Sequence, residues 1–174
     1  MAKIPFTKLK CKINDNSIPV QIGEEIIAVK EYLSIQDKLI LIENVALQAH
    51  EQNENYSNPL KVKVYTELEM IFAYSNISFT EKQKEDLPKL YDILKSSGVI
   101  DIIINTIPKD EVESLKTGVQ ETIESVYKYQ NSILGLLDTI KTDYSDTNFD
   151  LSSIQEALQS EDLGMLKEVV SKLG

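Results

Sequence analysis

Few side chains in this sequence could do chemistry, and their spacing does not bring them together. There is one histidine, His50, among 174 residues. A single imidazole cannot build a two-histidine zinc site, and any serine triad would have to use it. No Gly-x-Ser-x-Gly string accompanies it. At the end of a polar helix, it reads most simply as a surface residue. The single cysteine, Cys11, excludes an internal disulfide and a paired-cysteine metal motif. It stands in Lys8-Leu9-Lys10-Cys11-Lys12-Ile13. The flanking lysines favour a thiolate there, yet no histidine lies nearby in sequence to complete a nucleophile pair. Asp146, Asn148 and Asp150 have the spacing of the first three ligands of a calcium loop. The pattern then fails, with Leu151 where the turn glycine belongs and Ala157 in place of the bidentate glutamate. The six glycines form neither a dinucleotide fingerprint nor a P-loop. Acidic pairs such as Glu24-Glu25 and Glu85-Asp86 read as solvated helix ends. The expectation is a protein with no catalytic residues, no cofactor and no metal, and therefore not an enzyme.

Charge narrows the partners. The net charge is −10, and all 18 basic residues are lysine. An acidic body repels nucleic-acid phosphates and anionic membranes. Without arginine there is no planar fork to grip phosphate or carboxylate. Met1-Ala2-Lys3-Ile4-Pro5-Phe6 lacks the apolar run of a secretory leader. No segment approaches the ~20 apolar residues that span a bilayer. These features predict a cytoplasmic protein that binds neither nucleic acid nor membrane and works through protein partners, self-association included.

The elements that must position any site divide at Ser34. Before it, period-two alternation predicts strands. Phe6–Ile13 places Phe6, Lys8, Lys10 and Lys12 on one face and Thr7, Leu9, Cys11 and Ile13 on the other. Ile18–Ile22 and Glu25–Leu33 are the next candidates, giving an antiparallel sheet of two or three strands with Pro19 at an edge. After Ser34 the spacing is helical. Ser34 with Asp37 approximates a capping box. Asn58-Pro59 opens a second helix, although the β-branched run Val62-Lys63-Val64-Tyr65 leaves a strand open over 60–75. Thr80 with Gln83 caps another turn, and Pro88 to Gly98 bounds a helix through Leu90, Ile93 and Leu94. Val99–Ile107 lacks a polar face and reads as a buried helix. Pro108 and Asp110 open the longest element, to about Thr142, with two short helices beyond it. The fold class is α+β, mainly α-helical: a small N-terminal antiparallel β element (1–33) and a helical body (34–174) in one domain.

The most regular feature lies in that longest element. Val112, Leu115, Val119, Thr122, Val126, Tyr129, Ile133, Leu136 and Ile140 alternate steps of three and four, with Ile123 and Leu137 widening the stripe. Such a stripe is either a core face or a coiled-coil seam. If one seam packs inward and its neighbour outward, Val119, Val126, Tyr127, Tyr129 and Ile133 are the candidate protein-binding residues, the tyrosines as aromatic anchors.

Val29-Lys30-Glu31-Tyr32-Leu33-Ser34-Ile35-Gln36-Asp37-Lys38 resembles the strand-to-helix junction of tail assembly chaperones from tailed bacteriophages. Asn58-Pro59-Leu60-Lys61-Val62 and Phe79-Thr80-Glu81-Lys82-Gln83-Lys84-Glu85-Asp86 are similar to virion-morphogenesis proteins of such phages. The resemblance implies a small β element, a capped helix and a helical body. It implies a protein without enzyme activity or cofactor that shields the tape measure protein and recruits tail tube subunits in the host cytoplasm. A structural head–tail or tail protein retained in the virion, and a small acidic regulator that inhibits a host protein, are the alternative expectations.

Overall fold

Alternation of inward Ile18, Val20 and Ile22 with outward Ser17, Pro19 and Gln21 makes the first strand. In the computed structural model, which describes residues 3–49 and 58–130, β1 (Ser17–Ile22) pairs antiparallel with β2 (Glu25–Lys30). The register runs from Ile22↔Glu25 to Ser17↔Lys30. Gly23, at φ +63°, supplies the left-handed residue that a two-residue turn requires. The chain divides into two compact units, Met1–Tyr127, which holds all but the last three described residues, and Lys128–Gly174. The helices expected beyond residue 130, the loop at Asp146 and His50 lie outside the described residues.

The expected strand over Phe6–Ile13 does not form. Phe6–Leu9 is a 3₁₀ turn, ended by Lys10 in the left-handed region at φ 51°. All of residues 3–16 are exposed. The alternation was real, but a strand needs a partner edge. The second edge of β2 is occupied: the Asn76 amide oxygen accepts from the Ala28 N–H at 2.9 Å, and Val29 bridges Ser75. The free edge of β1 carries Pro19, which has no N–H to offer.

Helix starts follow their caps. The Ser34 hydroxyl accepts from the Asp37 N–H at 3.1 Å and opens α1 (Ile35–Ala49). Asn58 caps α2 (Pro59–Tyr74), with Pro59 in the first turn, which settles 60–75 as helix. Thr80 and Gln83 form a complete capping box on the short α3 (Glu81–Lys84). Asp86 caps α4 (Leu87–Ser96), and Gly98, at φ 77°, turns the chain into α5 (Val99–Thr106). α5 buries Ile100 and Ile103 but leaves Asp101, Asn105 and Ile102 at the surface, so it is half-buried rather than enclosed. α6 runs from Lys109 to Gln130.

α2 is the central helix. Six consecutive residues, Thr66 to Ile71, are buried, which demands neighbours on every side. Two of them are glutamates, and each accepts hydrogen bonds from donors on another helix. Glu67 accepts from the Tyr91 hydroxyl at 2.9 Å and lies 3.5 Å from Lys95, both on α4. Glu69 accepts from the amides of Asn44 and Gln48 on α1, both at 3.1 Å. A third carboxylate, Glu111 on α6, takes Lys38 of α1 at 2.7 Å and the Tyr74 hydroxyl of α2 at 2.8 Å.

Burial, and then the hydrogen bond to Glu111, hold the Tyr74 phenol well above its ordinary ionisation range. An unfolded tyrosine ionises near pH ~10. Above that pH the unfolded chain sheds a proton that the native chain keeps, so stability falls as pH rises. Tyr74 alone contributes up to about 1.4 kcal/mol per pH unit to that loss. Tyr74→Phe is expected to make the alkaline decline shallower by that amount in urea titrations between about pH 10 and 12. Identical slopes for both proteins would refute the assignment.

Candidate interaction surface

Nine of the fifteen residues of α1 are apolar, more than one helix face can hold. At about 100° per residue they divide into two arcs. Leu41, Val45 and Ala49 are buried, with Ile42 and Ala46 half-buried beside them. Ile35, Leu39, Ile40 and Leu47 span an arc about 140° wide that starts at the edge of the buried face, where Ala46 falls between Ile35 and Leu39. These four are 67%, 53%, 48% and 76% exposed. Gln36 and Glu43 are the polar residues among them, and no exposed lysine of α1 lies on this face.

The inner face is fixed so that the outer one cannot turn inward. Ser34 caps the first turn, and the Ser34 hydroxyl also donates to Asp37 at 2.8 Å. Lys38 is held by Glu111 and lies 4.3 Å from the ring centre of Tyr32. Asn44 and Gln48 are tied to Glu69 on α2. α6 approaches closely at Gly118, where an added Cβ would lie 2.7 Å from Ile42 Cδ1. Ionic, amide and packing contacts therefore all act on one side of α1.

The residues singled out on α6 lie differently. Val119 is 1% exposed and packs in the core with Val112, Leu115 and Ile123. Its role is to seat α6 on its own domain. Val126 and Tyr127 are half-buried, Tyr129 is 49% exposed, and Ile133 lies outside the described residues. Over Lys109–Ser125 the outward positions are polar, among them Glu113, Lys116, Gln120, Glu121 and Glu124. A broader exposed apolar arc is found on α1. Its signal was present as Leu39-Ile40-Leu41-Ile42 followed by Val45-Ala46-Leu47, a run too broad for one face.

Little else in the described residues offers a site. A hollow of about 230 Å³ is lined by Val62, Lys63, Thr66 and Glu67 of α2 and by Lys116, Val119 and Gln120 of α6. It is smaller than pockets that enclose drug-sized ligands, ~300 Å³ and above. Tyr91 is raised above its ordinary ionisation range, by burial first and by Glu67 second, so it holds its proton against Glu67. Among the described residues no group of three His, Cys, Asp or Glu is arranged to hold a metal ion. No described helix is long and apolar enough to cross a membrane. Comparison with family models, with curated proteins and with solved structures finds no match.

The two helix faces respond differently to charge. Val119→Asp buries an unpaired carboxylate and is expected to cost several kcal/mol, enough to unfold a domain of ordinary stability. Leu47→Lys exchanges an exposed leucine for another good helix former and is expected to shift stability by no more than about 0.5 kcal/mol. Thermal melts followed by circular dichroism check both. Cooperative unfolding lost in Leu47→Lys would show that its side chain is needed by the fold.

Proposed function

We propose that this chain is a non-enzymatic protein-binding component of tailed-phage assembly, a tail assembly chaperone acting in the host cytoplasm on tape measure and tail proteins. The observation that carries the binding reading is the outer arc of α1, with its four large exposed apolar side chains. Surfaces of this kind, rimmed by polar residues, mark protein contacts. Ile35, Leu39, Ile40 and Leu47 present the i, i+4 and i, i+7 spacings through which a helix is gripped by an apolar groove or by a second helix. The acidic, arginine-free composition favours apolar contact over phosphate recognition. The specific client is supported by the resemblance at Val29–Lys38. That segment spans the end of β2 and the start of α1, so the proposed face begins inside the stretch that carries the likeness.

The test is co-expression with a phage tape measure protein, which this reading places in the gene next to this chain's own, followed by co-purification. The wild-type chain is expected to hold the tape measure protein in soluble form. Leu39→Lys/Leu47→Lys is expected to lose it while staying folded. Mass spectrometry of purified virions is expected to miss this chain. Its presence there at fixed stoichiometry would overturn the chaperone reading in favour of a structural component. Undiminished capture by the double variant would overturn the assignment to α1.

A further inference from the structure

The outer arc of α1 has a counterpart within the same sequence. Residues 3–16 form an arm that lies exposed along its whole length. Within it Ile4, Phe6, Leu9 and Ile13 are all large, apolar and solvent-facing. In the 3₁₀ turn Phe6 and Leu9 stand three residues apart, so they eclipse one another and project as a pair. Four lysines, Lys3, Lys8, Lys10 and Lys12, are interleaved with them. With Asp15 the arm carries +3, which leaves −13 on the rest of a chain of net −10.

The arm is rooted, not loose, at its base. The amides of Asn14 and Asn16 both donate to Glu31 Oε2, at 3.1 and 3.5 Å. The Asn14 side chain also accepts from the Asn16 N–H at 3.0 Å, and the Glu31 N–H donates to the Asn16 carbonyl at 3.0 Å. These bonds fix where the arm leaves the sheet, and from there to residue 3 no residue of it is buried.

We propose that the arm of one copy docks on the outer arc of α1 of a second copy, so that two chains exchange arms in a closed dimer. Complementarity of both kinds supports this occupant. The arm brings four apolar side chains and four ammonium groups. The arc brings four apolar side chains, the carboxylate of Glu43 at its middle and no exposed lysine. Reach is sufficient: from Ser17 back to Ile4 the extended arm spans up to about 40 Å. The stripe from Ile35 to Leu47 is only about 18 Å long. The root of each arm, at Asn16 and Glu31, is four residues from the start of α1, so two chains related by a two-fold axis can make both exchanges at once.

The exchange uses the face assigned above to the partner contact and therefore rests on that reading, but the two fail differently. Sedimentation velocity on the full chain, at about 1–100 μM and at low and high salt, reads the exchange. The expected result is a monomer–dimer equilibrium that weakens with salt. Lys8→Glu/Lys10→Glu/Lys12→Glu, all at exposed positions, is expected to weaken the dimer at least about tenfold, as is Glu43→Lys. Combining the arm and Glu43 changes is expected to restore part of that loss, because the signs match again. A monomer at every concentration overturns the proposal. So does a dimer indifferent to the arm charges, or vesicles of phosphatidylserine that bind the wild-type chain and not the arm variant while the mass stays monomeric. If the exchange alone is wrong, Leu39→Lys/Leu47→Lys still loses the tape measure protein. If the partner reading alone is wrong, capture persists in that variant while the dimer is lost.

Discussion

Glu111 joins three helices through one carboxylate. One of its oxygens takes the Lys38 ammonium of α1, and the other takes the Tyr74 hydroxyl of α2. Lys38 and Glu111 are each about seven-eighths buried, so this pair is largely withdrawn from water. A carboxylate placed there without both donors would cost several kcal/mol. The arrangement therefore tolerates one rotation of α1, one of α2 and one register of α6. Glu69, with Asn44 and Gln48, repeats the constraint about two turns further along α1. Apolar burial supplies the driving force, with Leu41, Val45, Leu68, Ile71, Leu115 and Val119 at the centre. The polar bridges decide which apolar faces are the ones buried.

That decision has a consequence at the surface. With α1 held by Lys38, Asn44, Gln48 and the close approach at Gly118, its remaining leucines and isoleucines face away from the fold. Fully burying each such side chain is worth about 1.5–3 kcal/mol. The domain forgoes about half or more of that stabilisation at four positions on one helix, which stay half to three-quarters exposed. An apolar arc kept outward by buried polar bonds has the form of a binding surface.

The sequence made local structure legible where side chains act on their own neighbours. Ser34 with Asp37, Asn58 with Pro59, Thr80 with Gln83, and Gly98 each mark a helix boundary through bonds or dihedrals within a few residues. The switch from strand to helix at Ser34 was equally visible, and with it the α+β, mainly helical class. The arm at 6–13 was misread because alternation specifies two faces and says nothing of a partner edge. The helix bridges were hidden for another reason. Glu67 and Glu69 are two residues apart on one helix and serve opposite neighbours, with donors 21 to 28 residues away. Glu111 reaches 37 residues back to Tyr74 and 73 to Lys38. Nothing in such spacing sets these glutamates apart from solvated ones. Of the stripe expected over Val112–Ile140, Val112, Leu115, Val119 and Ile123 form a buried face of α6, and the positions from Ile133 on lie outside the described residues. Its burial over Val112–Ile123 could not be separated from an interface until α1 and α2 were in place.

The central claim is that the outer arc of α1 faces water in the isolated chain and a protein in the working one. Hydroxyl-radical footprinting, read by mass spectrometry, measures side-chain access at Leu39, Ile40 and Leu47 directly. In the dilute monomer these residues should be oxidised readily, and Leu41 and Val45 on the same helix should not. Protection of the outer set should appear as a partner or a second copy binds. Protection of Leu39 and Leu47 already in the monomer would mean that the chain covers this face itself, and would contradict the account.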